Sequence, residues 1–118
     1  VISGIDKYYL LRHCLAYTHM ALWESYCNTV HESMSQGCVC LVTKNTALEE
    51  LVQDQISGFT IPVFDHHAVA DKIRFLKENP NSRLIKTIRK NSTAYTRGHS
   101  WREISTQVEK FYNSFHEK

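Results

Sequence analysis

Short apolar runs that alternate with segments of helical character constrain this chain most. Tyr17–Leu22, Cys38–Val42 and Phe59–Ile61 are too short for buried helices and carry little polar relief. Such runs read as strands buried on both faces. Helical stretches lie between and after them. Strands joined through helices pair in parallel with right-handed crossovers, so the expected class is α/β, a Rossmann-like parallel sheet flanked by helices. Such a sheet binds ligands at the carboxyl ends of its strands, which places function in the loops after Leu22, Val42 and Ile61.

The helices announce themselves through periodicity and end signals. Val1–Ser3 is expected to close a strand, with Gly4 as the turn. Lys7–Ala16 carries Tyr8, Leu11 and Leu15 at helical spacing. Thr29 and Glu32 have the capping-box form, and the helix they open ends at Gly37, a residue that accepts the left-handed cap. Thr46 and Glu49 offer a second box for a helix through Val52. Ser57-Gly58 turns the chain, and Pro62 ends the last strand. Asp65 caps a helix to Asn79 with Val69, Ile73 and Leu76 on one stripe, and Asn79-Pro80 stops it. Leu84, Ile88 and Tyr95 mark another helix, broken at Gly98. Ser100 caps a last helix, about residues 100–116, whose inward face is Trp101, Ile104, Val108, Phe111 and Phe115. The 118 residues suit one domain with one core.

Charge excludes some partners. A net charge of +2 gives no electrostatic case for nucleic acid. Arg83, Lys86, Arg89, Lys90, Arg97 and Arg102 gather late in the chain; a solvated helix face accounts for them, and a peripheral membrane contact is the alternative. No apolar run is long enough to span a bilayer, and Val1–Lys7 does not read as a signal peptide. The four cysteines, Cys14, Cys27, Cys38 and Cys40, read as reduced core thiols, which points to the cytoplasm. No metal is expected. Cys-x-Cys is not the usual zinc spacing, and His66 and His67, adjacent on a helix, diverge by about 100°. His19 in its strand reads as a buried, hydrogen-bonded histidine.

Glu24 and Glu32 carry the chemistry. Glu24 follows the first apolar run, and Glu32 lies one turn inside the next helix. The backbone from Ser25 through Tyr26, Cys27, Asn28 and Thr29 leads into a helix N-terminus, whose free N–H groups favour a phosphate. Carboxylates beside that point can accept hydrogen bonds from sugar hydroxyls. Taken alone, either glutamate also fits a plain role, in a cap or a loop.

The string Glu24-Ser-Tyr-Cys-Asn-Thr-Val-His-Glu32-Ser-Met-Ser-Gln-Gly37 resembles the Glu-x7-Glu segment of family-4 retaining glycosyltransferases, typically Glu-(Gly/Ser)-Phe-Gly-x4-Glu-Ala-Met-Ala-x-Gly. In order along the chain, Cys38–Val42 resembles the family's Pro-Val-Val strand, Glu50-Leu51-Val52 its Glu-Ile-Val, and Ser57-Gly58-Phe59 its Thr-Gly-Leu. Asn79-Pro80 and Ser100-Trp101 fall where the family commonly has Asp/Asn-Pro and Ser-Trp. The resemblance implies the C-terminal, nucleotide-sugar-binding domain of a GT-B enzyme. It implies that Glu32 binds the ribose, that Glu24 contacts the donor sugar as the catalytic-site carboxylate, and that Ser25, Tyr26, Cys27, Asn28 and Thr29 offer backbone N–H groups to sugar and diphosphate. It implies retention of anomeric configuration with no essential metal and no other cofactor. Two residues depart from the pattern: Cys27 stands where the family has a glycine, and Met20-Ala21 where it has Pro-Ser.

The family's first strand of this domain, its glycine-rich turn and its diphosphate-neutralising Arg and Lys have no counterpart in the sequence. The chain is therefore expected to start near the third strand of the domain, to lack transferase activity alone, and to need an N-terminal acceptor domain or a partner chain. A bare sheet edge would also permit a homodimer. Two other functions compete: a catalytically inactive Rossmann-like module that serves a partner, and a small flavodoxin-like signalling domain, which would want an acidic cluster at its strand ends.

Overall fold

The computed structural model describes residues 1–116. Three strands, β1 (Tyr17–His19), β2 (Cys40–Thr43) and β3 (Phe59–Ile61), form a parallel sheet in the order β1-β2-β3. The register sets Tyr17 beside Cys40 and Leu41 beside Phe59. Around the sheet run α1 (Gly4–His13), α2 (Asn28–Ser35), α3 (His66–Glu78), α4 (Arg83–Gly98) and α5 (Trp101–His116). The α/β class with a parallel sheet and flanking helices is the one the sequence implied.

All four residues of β2 are buried, because the strand is covered on both faces. Successive side chains point to opposite sides. Cys40 and Val42 join Val30 and Met34 of α2 and Leu48, Leu51 and Val52. Val39 and Leu41 join Phe59 and Ile61 of β3, Leu76 of α3, and Ile85 and Ile88 of α4. The core is thus two apolar layers with β2 between them. Emptying Leu41 to alanine is expected to cost about 2–5 kcal/mol.

Several elements differ from the sequence expectation. Residues 1–3 form no strand, and Gly4, at φ 61°, is the first residue of α1. α1 accordingly ends at His13, before Leu15 and Ala16, which pack against the core from the following turn. β1 stops at His19, short of Leu22. The Thr29–Glu32 capping box does not form: Cys27 is the N-cap, with no side-chain cap bond, and the Glu32 carboxylate meets Lys7 instead. Thr46 caps the amide of Leu48, but only a short 3-10 turn follows, Ala47–Glu50. On α3 Leu76 is buried while Ile73 is exposed, since Phe75 and Val69 turn inward beside it. The largest correction is α5. Its start at Ser100 is as read, with the Ser100 hydroxyl accepting from the amide of Glu103 at 3.2 Å. Yet none of its residues is buried, and Trp101 is 85% exposed. The helix extends away from the two layers, and the radius of gyration of 16.1 Å exceeds the ~13.5 Å of a compact chain this long.

The end of α2 has a defined exit. Gly37 sits at φ 73°, the amide of Gly37 donates to the carbonyl of Met34, and that of Cys38 to the carbonyl of Ser33, both at 3.0 Å. This is a Schellman motif, and it delivers the chain directly into β2.

Candidate functional site

At the carboxyl end of β1 the chain leaves the sheet through Met20–Tyr26 and enters α2 at Asn28. The first helical bond is donated by the amide of His31 to the carbonyl of Cys27. The amides of Asn28, Thr29 and Val30 precede it, so no helix carbonyl is available to them. Without a side-chain cap at Cys27, the N–H groups of the exposed Asn28 and Thr29 and the positive end of the helix dipole are open to an anion, whereas Val30 is wholly buried.

The two glutamates lie on different sides of this entrance. Glu24, half-buried, pairs with the ring of His19, Nε2 to Oε2 at 3.1 Å, and its other oxygen accepts from the amide of Ser25 at 3.2 Å. It lines a cavity of about 600 Å³ with Leu22, Trp23, Asn45, Thr46 and Glu50. Glu32 instead accepts a 3.0 Å ion pair from Lys7 of α1. That contact raises the Lys7 pKa above its ordinary value, chiefly through the hydrogen bond to Glu32. Glu32 lines a second cavity, of about 490 Å³, with Tyr26, Asn28, His31, Arg97 and Trp101. The structure therefore brings Tyr26, Asn28 and Glu32 together, and it places Glu24 on a separate cavity.

The remaining loop residues divide by burial. Ser25 and Thr29 are exposed. Cys27 is 8% exposed, and its side chain packs with Val30, Met34 and Cys40 in the core layer. His31 faces the second cavity with its Nε2 buried and without a protein partner among the described residues. Burial lowers its pKa, and nearby His99 lowers it further.

A third cavity, of about 580 Å³, was not foreseen. Met20, Thr43 and Pro62, residues at or just past the ends of the three strands, line it with Leu22, Phe64, Asp65, His66 and Val69. Thr43 Oγ1 is buried there with no protein partner among the described residues. Phe64 holds φ at 61°, a conformation uncommon for a bulky residue. The sheet rule pointed to these loops, but no motif singled out Thr43 or Phe64.

His19, expected as a buried histidine, is half-buried and hydrogen-bonded. The ligand atoms of His19, Glu24 and Cys27 lie within 4.8 Å of one another. The rings of His66 and His67 are tilted at 38° to each other, with centroids 4.3 Å apart. All four cysteines are free thiols; Sγ of Cys14 and Sγ of Cys38 are 3.1 Å apart. Among the described residues no helix is long and apolar enough to cross a membrane.

Residues 2–94 match the model of the family described as Glycosyl transferases group 1. No curated protein sequence matches the chain. Among solved structures, the crystal structure of a glycosyltransferase from Rickettsia africae ESF-5 superposes with a TM-score of 0.71 at 17% identity. The alignment covers 83% of this chain and 27% of that one, so the chain spans about a quarter of its length. At that identity the likeness concerns the fold: a GT-B-like Rossmann sheet.

Proposed function

The chain belongs to the group 1 glycosyl transferases, and from that membership we propose that its β1–α2 segment binds the donor of a family-4-type retaining transferase, a nucleoside diphosphate sugar. The observation that carries the proposal is the uncapped N-terminus of α2 at the carboxyl end of β1. It offers the amides of Asn28 and Thr29 and a helix dipole to a diphosphate. Around it, Glu32 and Asn28 supply groups for a ribose, and Arg97 on the same cavity supplies positive charge. Glu24, on the other side of the entrance, is assigned to the donor sugar. In such a transfer the departing diphosphate is stabilised electrostatically, with no metal required of the protein.

The site belongs to the C-terminal domain of a two-domain enzyme in this reading. The acceptor would be held by another domain or a partner chain, and the chain alone would turn over no donor. A cytoplasmic enzyme with a cytoplasmic donor pool accords with the reduced thiols. Calorimetric titration with UDP, GDP and their sugars tests the assignment. Glu32→Ala should weaken binding at least about tenfold, the equivalent of one lost hydrogen bond to a charged group. Lys7→Ala should tighten it, by freeing the Glu32 carboxylate from its ion pair. Binding indifferent to Glu32→Ala would mean the ribose sits elsewhere.

One observation favours a second reading. Glu24 and Glu32 line separate cavities, whereas a working donor site needs both at one ligand. A catalytically inactive module of this family, pairing with a partner chain, would tolerate that separation. Absence of any nucleotide binding by the chain would select it.

A further inference from the structure

Cys27 stands where the family pattern has a glycine, and its side chain completes a set of three metal-ligating atoms. Nε2 of His19 and Oε2 of Glu24 are 3.1 Å apart, and the ligand atoms of His19, Glu24 and Cys27 all fall within 4.8 Å of one another. A tetrahedral zinc ion with bonds of about 2.0–2.3 Å needs its donors roughly 3.3–3.8 Å apart. The outer bound of 4.8 Å exceeds that by about 1 Å, so the donors must draw together by at most that amount when an ion binds. The elements supply rigidity where it is needed: His19 closes β1, and Cys27 is the N-cap of α2 with its side chain in the core layer.

We propose that His19, Glu24 and Cys27 form a mononuclear site for a borderline-soft divalent cation, zinc in the first place. The mixed nitrogen, oxygen and thiolate set excludes magnesium and calcium, which take oxygen donors, and suits zinc or cobalt. Binding converts the Cys27 thiol to a thiolate, which forms the metal–sulfur bond and releases one proton to solvent. His19 binds through Nε2 and carries its proton on Nδ1. The fourth position takes water. The inference stands apart from the donor reading, which uses α2 amides and Glu32. Glu24 is the one side chain they share, so a bound ion withdraws that carboxylate from a sugar.

Cobalt(II) titration of the reduced, metal-free chain reads the site directly. One equivalent should produce the near-ultraviolet thiolate-to-cobalt band and the intense visible bands of tetrahedral cobalt, and zinc should displace both. Cys27→Ala should abolish the sulfur band, and His19→Gln should weaken binding at least about 100-fold, the upper range for disturbing even an outer-sphere contact. Cys14→Ser with Cys38→Ser should leave the spectrum intact. Circular dichroism of each variant separates ligand loss from unfolding, and His19→Gln, at a half-buried position, serves where Cys27→Ala fails to fold. A sulfur band that survives Cys27→Ala or vanishes in the Cys14/Cys38 variant, or no band at one equivalent, overturns the site.

Discussion

Gly58→Ala should be among the most damaging single-methyl changes in this chain. Gly58 precedes β3, and its missing side chain is what allows the chain to pass close to β2. A Cβ built there would lie 2.5 Å from Cγ1 of Val52 and 2.6 Å from the carbonyl oxygen of Cys40. Neither neighbour can yield cheaply. Val52 is wholly buried among Leu48 and Leu51, and the Cys40 carbonyl belongs to the central strand. Relief requires β3 to move away from β2, which breaks the Leu41–Phe59 register. Overpacking into a rigid site costs about 1–3 kcal/mol, and contact with backbone puts this case at about 3. For a domain of this length that is a fall of ~10 °C in Tm. In urea it is a fall of about 1.5–2 M in midpoint, at slopes of about 1.5–2 kcal/mol/M. Far-ultraviolet circular dichroism is the appropriate probe, because Trp23 and Trp101 are both exposed and report poorly on the core. Gly98→Ala is the matched control: nothing lies within 4 Å of its Cβ, so it should be neutral or slightly stabilising. If the two variants melt within 2 °C of each other, the close approach of β3 to β2 is wrong.

Four further outcomes follow from other sites. Gly37→Ala should cost about 1–2 kcal/mol in the same urea assay, from a left-handed backbone at φ 73° rather than from a clash. Acidification should destabilise the fold through His31. Its folded pKa is lowered by burial below the ordinary 6.5, so the unfolded chain binds the proton more readily and stability falls as pH drops through that value; His31→Gln should flatten the urea midpoint between pH 7.5 and 5.5. Deleting residues 101–118 should shift the melting temperature by less than about 3 °C, because no residue of α5 is buried; a larger loss would mean the helix packs on the domain. Glutathione disulfide should modify Cys14, the one half-buried cysteine, and leave Cys38 and Cys40 reduced, as peptide mapping would read; burial pushes the Cys38 thiol strongly up and the Cys40 thiol up to about 12, far from reactive.

What the sequence disclosed follows from where its information is local. β3 was legible to the residue because Gly58 and Pro62 bracket it, and α3 because Asp65 supplies its cap, accepting from the amide of Ala68 at 2.9 Å. The Thr29 box was misread because Glu32 had two possible partners, and Lys7, 25 positions away, was invisible to a local rule. Periodicity gave α5 an apolar face but could not say what covers it, and among the described residues none of that face is fully buried. The glutamate pair was recognisable as a motif, while its division between two cavities depends on how Trp23–Tyr26 folds back beside β1. The His19–Glu24–Cys27 cluster depends on that same fold-back, which is why spacing rules for metal ligands passed over it.

The turn out of α2 is closed by two backbone bonds at Gly37 and Cys38, and the helix itself is seated on the central strand's layer through Cys27, Val30 and Met34. Helix and strand therefore behave as one rigid piece. A ligand can reshape the exposed loop ahead of α2, but the helix entrance it meets is fixed by the core.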